Sequence, residues 1–346
     1  MLTKVIAQAN VDHAEKWFEK AEKIVIVSHV SPDGDAIGSS LGLYHFLQTQ
    51  EKTVNVIVPN QFPDFLKWMP GAKDVIIYDR YKDFADRLIR EADVICCLDF
   101  NELKRIDTME EAVRNASARK MLVDHHLNPG NFAGITISHP DISSTSELVF
   151  RLICRLGNFD DITREGAECI YTGMMTDTGG FTYNSNNREI YYIISELLSK
   201  GIDKDQIYRN TFNTHTEGRL RLMGYVLYEK MEIYRDFNSA LIWLTKEDQR
   251  KFQYRKGDTE GFVNMPLSMQ GIRFSCFLRE DTEKDMIKVS LRSVGDFPCN
   301  KVASDFFGGG GHLNASGGEV YGTMDEAISL FKQALIKYED QLLGKK

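Results

Sequence analysis

The sequence predicts an α/β protein with two domains: a larger N-terminal one on a parallel sheet and a smaller C-terminal one. Three observations predict it. Short Val- and Ile-rich runs in the first half are apolar without alternating, as strands buried on both faces are. Helical stretches separate these runs, giving a βαβα series. The 346 residues also suggest two cores rather than one.

The runs read as strands are 24–28, 54–58, 75–78, 94–98 and 121–124, with helices at about 37–50, 62–69, 82–91 and 102–116 between them. Ahead of them, 1–23 mixes charged and apolar residues as an amphipathic helix does, not as a secretory leader does. Beyond Asp141 the texture turns helical. Ser144 and Glu147 form a capping-box pattern opening a helix through Leu156. More helices are expected at 163–175, 188–200, 203–210 and 216–230. From Ser239, apolar runs at 240–244, 272–278 and 286–291 read as a second sheet, flanked by helices at 246–252, 299–306 and 324–340. The expected organisation is a domain over 1–190, a helical linker over 191–225 and a second domain over 226–346.

The chain is 42% hydrophobic and 27% charged, ordinary for a soluble protein, and no apolar run is long enough to span a bilayer, so no membrane partner is expected. The six cysteines include no CxxC pair. Cys96 and Cys97 are neighbours on one strand and point to opposite faces. All six read as reduced thiols of a cytoplasmic protein. The net charge of −8 argues against a long duplex or single strand as the main ligand, because phosphate contacts dominate that affinity. A small phosphorylated ligand fits better, above all if some acids hold cations.

Ligands of open parallel sheets bind beyond the carboxyl ends of the strands. There the first strand runs into His29, Asp33 and Asp35, the fourth into Asp99, and the fifth into Asp124, His125 and His126. Asp177, in a turn-like Thr-Asp-Thr-Gly-Gly segment, is a fourth contributor. Each piece has an ordinary explanation: Asp35 as the cap of a helix from Ile37, Asp99 and Asp177 as turn residues, 124–126 as a plain loop. Together they read as a site for two divalent cations. Crowded carboxylates repel one another unless cations intervene. Carboxylate and imidazole without thiolate suit Mn2+ first, with Mg2+, Co2+ or Zn2+ as alternatives. In the C-terminal half, Gly309, Gly310 and Gly311 lead to His312, with Arg292 and Ser293 upstream. Glycines can aim backbone N–H groups at an anion, and Arg and His add directed donors. The ordinary alternative is a flexible loop.

These motifs resemble those of the DHH superfamily of phosphoesterases, whose members include RecJ-type exonucleases, nano-RNases, cyclic-dinucleotide phosphodiesterases and family II pyrophosphatases. Asp124-His125-His126 matches the signature triad, and the 307–312 glycine motif matches the DHHA1 substrate domain. The resemblance spans about 20–335, and size and layout are most similar to the NrnA-like oligoribonuclease and phosphoadenosine-phosphate phosphatase branch. It implies a mixed second sheet and an active site in the cleft between the domains. One metal would take His29, Asp33 and Asp99, the other Asp35, Asp99, His125 and Asp177. Asp124 would orient a neighbouring ligand, and His126 would face substrate or support the site. Arg292, Ser293, Gly309, Gly310, Gly311 and His312 would bind substrate. Some relatives carry a basic residue after the glycine pair at 179–180, whereas this chain has the uncharged Phe181-Thr182-Tyr183. The implied activity is hydrolysis of small nucleotides or short oligonucleotides to mononucleotides. The alternatives are an exopolyphosphatase or inorganic pyrophosphatase and a non-catalytic nucleotide-binding module. A homodimer fits a cytosolic enzyme, though no residue pattern specifies one.

Overall fold

A computed structural model describes residues 3–255 and 257–345, so Met1 and Leu2 of the expected N-terminal helix lie outside the described residues. The chain divides into two compact units, Met1–Thr214 and His215–Lys346.

The first unit holds six strands: β1 (Lys23–Val27), β2 (Thr53–Val58), β3 (Ile76–Ile77), β4 (Val94–Leu98), β5 (Arg119–Asp124) and β6 (Ile135–Ser138). Its helices are α1 (Gln8–Lys20), α2 (Gly34–Thr49), α3 (Lys82–Glu91), α4 (Glu110–Asn115), α5 (Thr145–Arg155), α6 (Arg164–Asp177), α7 (Arg188–Ser199) and α8 (Lys204–Phe212). The strand order is β3-β2-β1-β4-β5-β6 and every pair is parallel. Successive side chains of a strand face opposite ways, and here both ways lead into apolar cores. Ile24, Ile26, Cys96 and Leu98 join the core that includes residues of α2, α5 and α6. Val25, Val27, Ile95 and Cys97 join the one that includes Ala85 and Ile89 of α3. The chain order reverses between β1 and β4, which creates a crevice at their carboxyl ends.

Helices α2 and α6 approach closely. A Cβ on Gly38 would fall 2.7 Å from the Gly173 Cα, and one on Gly34 would fall 2.2 Å from Thr176 Oγ1. Glycines at 34 and 38 therefore set the spacing that lets the start of α2 meet the end of α6.

Two expected helices fail in part. Over 62–69 only a 3-10 turn, Asp64–Leu66, forms behind Pro63. Over 102–116 a 3-10 segment, Leu103–Met109, is interrupted at Asp107, whose φ is 45°, before α4 begins. The edge strand β6 is too short for its alternation to stand out.

The second unit contains β7 (Met231–Tyr234), β8 (Ser239–Leu244), β9 (Phe274–Glu280), β10 (Ile287–Ser293), β11 (Gly310–His312) and β12 (Ala315–Val320). Its helices are α9 (Glu217–Glu229), α10 (Lys246–Lys251), α11 (Cys299–Phe306), α12 (Met324–Lys337) and α13 (Glu339–Leu342). The sheet runs β11-β12-β10-β9-β8-β7 and is mixed: β8 and β9 are parallel, the other pairs antiparallel. β7, β11 and β12 were not expected. The last two are rich in glycine, which disfavours strands, and close backbone approach explains them. A Cβ on Gly309 would lie 1.9 Å from the Gly317 carbonyl oxygen.

Candidate metal centre

The carboxyl ends of β1, β4 and β5 deliver the residues expected there. His29 follows β1 and is buried, and its Nδ1 donates to the Val30 carbonyl at 2.9 Å. That bond leaves Nε2 facing two carboxylates, 3.4 Å from Asp99 Oδ2 and 3.9 Å from Asp33 Oδ1. His125 repeats the device. Its Nδ1 meets the Ile142 carbonyl at 3.2 Å, and its Nε2 lies 3.5 Å from Asp177 Oδ2, 3.6 Å from Asp99 Oδ1 and 4.0 Å from Asp35 Oδ2.

Asp99 occupies the centre. Its N–H extends the ladder to Val123 O, and its φ of 65° then turns the chain through a region that residues with a Cβ rarely adopt. The Asp99 side chain is 2% exposed. Ligand atoms fall into three groups within 4.8 Å: His29, Asp33 and Asp99; Asp35, His125 and Asp177; Asp99, His125 and His126. Asp99 thus stands in two of them.

Asp33, not Asp35, caps α2, accepting from the N–H groups of Asp35 and Ala36 at 3.0 Å each. Asp35 sits in the first turn, buried. It is gripped by a feature that sequence reading missed, the N-terminus of α5. The N–H of Thr145 donates to Asp35 Oδ2 at 2.6 Å and that of Ser146 to Oδ1 at 2.9 Å, while Thr145 Oγ1 donates to Asp99 Oδ1 at 2.9 Å. The only signal for it was the capping pattern, and that is half formed. Ser144 accepts from the Glu147 N–H, but the Glu147 carboxylate turns to Ser143 and Arg151. Asp177 is not a loop residue: it ends α6, held near Asp35 by the close approach of α2 and α6.

The charges are strained by one another. Burial first, then the charges of Asp99 and Asp177, holds the Asp35 carboxyl well above its usual range. Burial and Asp99 push Asp177 up to about 7 against His125. Burial pulls His125 down, but Asp99, Asp177 and Asp35 outweigh it and hold the ring at about 9. His29 is raised likewise, its burial overcome by Asp33 and Asp99. Nitrogen and oxygen donors with anchored tautomers and mutually repelling carboxylates are what divalent cations require. Asp124 is fully buried. Its Oδ1 accepts from His126 Nδ1 at 2.7 Å, while its Oδ2 has no hydrogen-bond partner among the described residues. It orients His126 rather than joining the three groups.

The residues expected to bind substrate belong to the second unit. Arg292 pairs with Ala315, which pairs with His312, so the three stand in one register. Residues directly opposite project to one face, which puts Arg292 and His312 on the same side, two strand spacings or roughly 9.6 Å apart. The Ser293 hydroxyl donates to the Phe297 carbonyl and accepts from Asn314, so it is engaged within the fold. In the glycine run only Gly308 and Gly311 hold positive φ, while Gly310 is paired with Gly317 in the sheet. The run is therefore an edge strand with two irregular residues, rather than a continuous nest of N–H groups.

Residues 23–174 match the DHH family, N-terminal domain, and residues 237–338 match the DHHA1 domain. The bifunctional oligoribonuclease and PAP phosphatase NrnA of Thermus thermophilus is 30% identical over 315 residues, covering 90% of this chain and 89% of that protein. The chain belongs to the DHH family of phosphoesterases. Among solved structures, an exopolyphosphatase-related protein from Bacteroides fragilis is 74% identical, covers 99% of both chains and superposes with a TM-score of 0.97. RecJ from Thermus thermophilus in complex with Mn2+ shares the fold at 13% identity and a TM-score of 0.55, covering 96% of this chain and 55% of that one. No helix among the described residues is long and apolar enough to cross a membrane.

Proposed function

We propose that this DHH-family chain is a cytoplasmic two-metal hydrolase that cleaves short oligonucleotides, and small nucleotides such as phosphoadenosine phosphate, to mononucleotides. The observation that carries the reading is the place of Asp99 in two groups of potential ligands at once. His29, Asp33 and Asp99 would hold one ion, and Asp35, Asp99, His125 and Asp177 the other. The donor set fits Mn2+ best. Bound there, such ions supply a water that ionises near neutral pH and positive charge for the phosphoryl oxygens.

The chain's own residues do the rest. The two anchored imidazoles present Nε2 without reorganisation. The start of α5 holds Asp35 and Asp99 in place through three hydrogen bonds. Asp124 fixes the His126 ring through Nδ1, and His126 would support a phosphoryl oxygen of the substrate. Arg292 and His312 would grip a non-reacting phosphate of the substrate through charge-assisted bonds.

The Thermus thermophilus relative, an oligoribonuclease and PAP phosphatase, supports nucleotide substrates. A second reading, hydrolysis of inorganic polyphosphate, is favoured by the description of the Bacteroides fragilis relative as exopolyphosphatase-related. A Mn2+-dependent panel separates them: a ribodinucleotide, phosphoadenosine phosphate, linear and cyclic di-adenosine nucleotides, and polyphosphate. Release of mononucleotide from the dinucleotide, or of AMP from phosphoadenosine phosphate, is expected. Turnover of polyphosphate alone would overturn the nucleotide reading.

A further inference from the structure

Beside the metal centre stands a group of aromatic rings that the reading above leaves unused. Immediately after Asp177, Gly179, Gly180 and Phe181 take three consecutive positive φ values of 55°, 71° and 65°. For Phe181 such a backbone is costly, so the turn is held deliberately. Thr178 holds it from inside. Its Oγ1 accepts from the Phe181 N–H at 3.2 Å, and its carbonyl accepts from the N–H groups of Thr182 at 3.0 Å and Tyr183 at 3.2 Å. The Phe181 ring packs toward Tyr171, with centroids 5.6 Å apart.

The result is a turn bordered by exposed rings. Tyr183 folds back on Gly179, whose Cβ, if present, would lie 2.2 Å from the Tyr183 ring. A Cβ on Gly180 would lie 3.6 Å from Tyr208 and 3.9 Å from Phe212. Those two are one helical turn apart on α8, with ring centroids 5.0 Å apart. Tyr183 is 57% exposed and Tyr208 47%. Both rings border glycines that lie two and three residues from Asp177, so the Gly179 Cα is within about 7.6 Å of the Asp177 Cα. Large exposed aromatics at the edge of a site for phosphate chemistry are suited to one part of a nucleotide, the flat face of its base. The turn also lacks the basic side chain that would serve a phosphate instead.

We propose that Tyr183 and Tyr208 form a stacking shelf for the nucleobase next to the scissile phosphate. The first unit would then recognise a base as well as a phosphate. Stacking tolerates any base, so the shelf selects for the presence of a base rather than its identity. This inference rests on the nucleotide reading given above.

The test uses the Mn2+-loaded full chain, a ribodinucleotide, and the same dinucleotide with one base replaced by hydrogen, made in both positions. Wild type should show a KM at least about 10-fold higher for one of the two abasic analogues, in keeping with the strength of base–aromatic stacking. Tyr208→Ala and Tyr183→Ala should raise KM for the intact dinucleotide by a similar factor, with kcat little changed, and leave KM for that abasic analogue unchanged. Tyr208→Phe and Tyr183→Phe keep the ring and should behave as wild type. Manganese titration of each variant checks that the turn still holds Asp177. If the alanine variants lower kcat equally on intact and abasic substrates, or leave KM for the intact one unchanged, the shelf is refuted and the nucleotide reading stands. If wild type turns over neither substrate, the nucleotide reading falls and the shelf falls with it.

Discussion

In the first sheet every strand pair is parallel and both faces are covered, whereas the second sheet is mixed and carries Arg292 and His312 on a partly exposed face. The two arrangements place polar residues very differently. At the carboxyl ends of β1, β4 and β5, carboxylates and imidazoles are pressed together, buried or half-buried apart from the exposed Asp33, and their charges perturb one another. On the second sheet an arginine and a histidine project at one register without comparable burial. Such a contrast fits a division between making a reactive site, which needs rigid and desolvated donors, and gripping a ligand, which needs donors that water can leave.

Substitutions can break that comparison. The largest effect is expected in the first unit: Asp99→Asn should lower kcat by about 1,000-fold or more with melting temperature and circular dichroism preserved, since one carboxylate stands in two of the three groups of ligands. Near-normal turnover by a folded variant would mean that Asp99 is dispensable. In the second unit Arg292→Ala should instead raise KM by roughly 10- to 100-fold, the worth of a hydrogen bond to a charged group, with kcat little changed. A fall in kcat with KM unchanged would erase the proposed division.

A smaller effect concerns glycine. Gly38→Ala should destabilise the chain by about 1–3 kcal/mol in urea unfolding, because α2 and α6 leave no room for a Cβ. Gly224→Ala, in α9 where nothing stands within 4 Å, should stabilise by about 0.5–1 kcal/mol. Equal effects would show that glycine spacing does not position Asp177.

The smallest concerns Glu189, which α7 presents to Thr3 and to the buried Arg151 at 2.7 Å. Thr3 foremost, and then Arg151, lower its carboxyl to about 2 against burial. A depressed carboxyl contributes stability that is present above its unfolded pKa, near 4.3, and is lost as pH falls toward 2. The gap in melting temperature between wild type and Glu189→Gln should therefore be widest near pH 6 and shrink by pH 3. A gap that is constant across that range would show that the charge contributes nothing.

Much of the site was legible because parallel strands gather their carboxyl ends on one edge, so His29, Asp99 and His125 could be placed together from strand order alone. What stayed hidden depends on packing between distant segments. The Thr145 and Ser146 N–H groups reach Asp35 across 110 and 111 positions of sequence, which no local pattern encodes. The glycines of α2 are contact points with α6, which only the packing of the two helices reveals. In the second unit β11 and β12 escaped notice because their glycines argue against strands, and only the pairing of Gly310 with Gly317 makes them so. The rings of Tyr183 and Tyr208 stand 25 residues apart, and only the fold shows them at one turn.

The most direct measurement is calorimetric titration of the metal-free chain with Mn2+, beside Asp99→Asn. Two ions per wild-type chain, and a loss of affinity at both positions in the variant, are predicted. A wild type that takes up none, or a variant that still binds two as tightly, would contradict a centre built around Asp99.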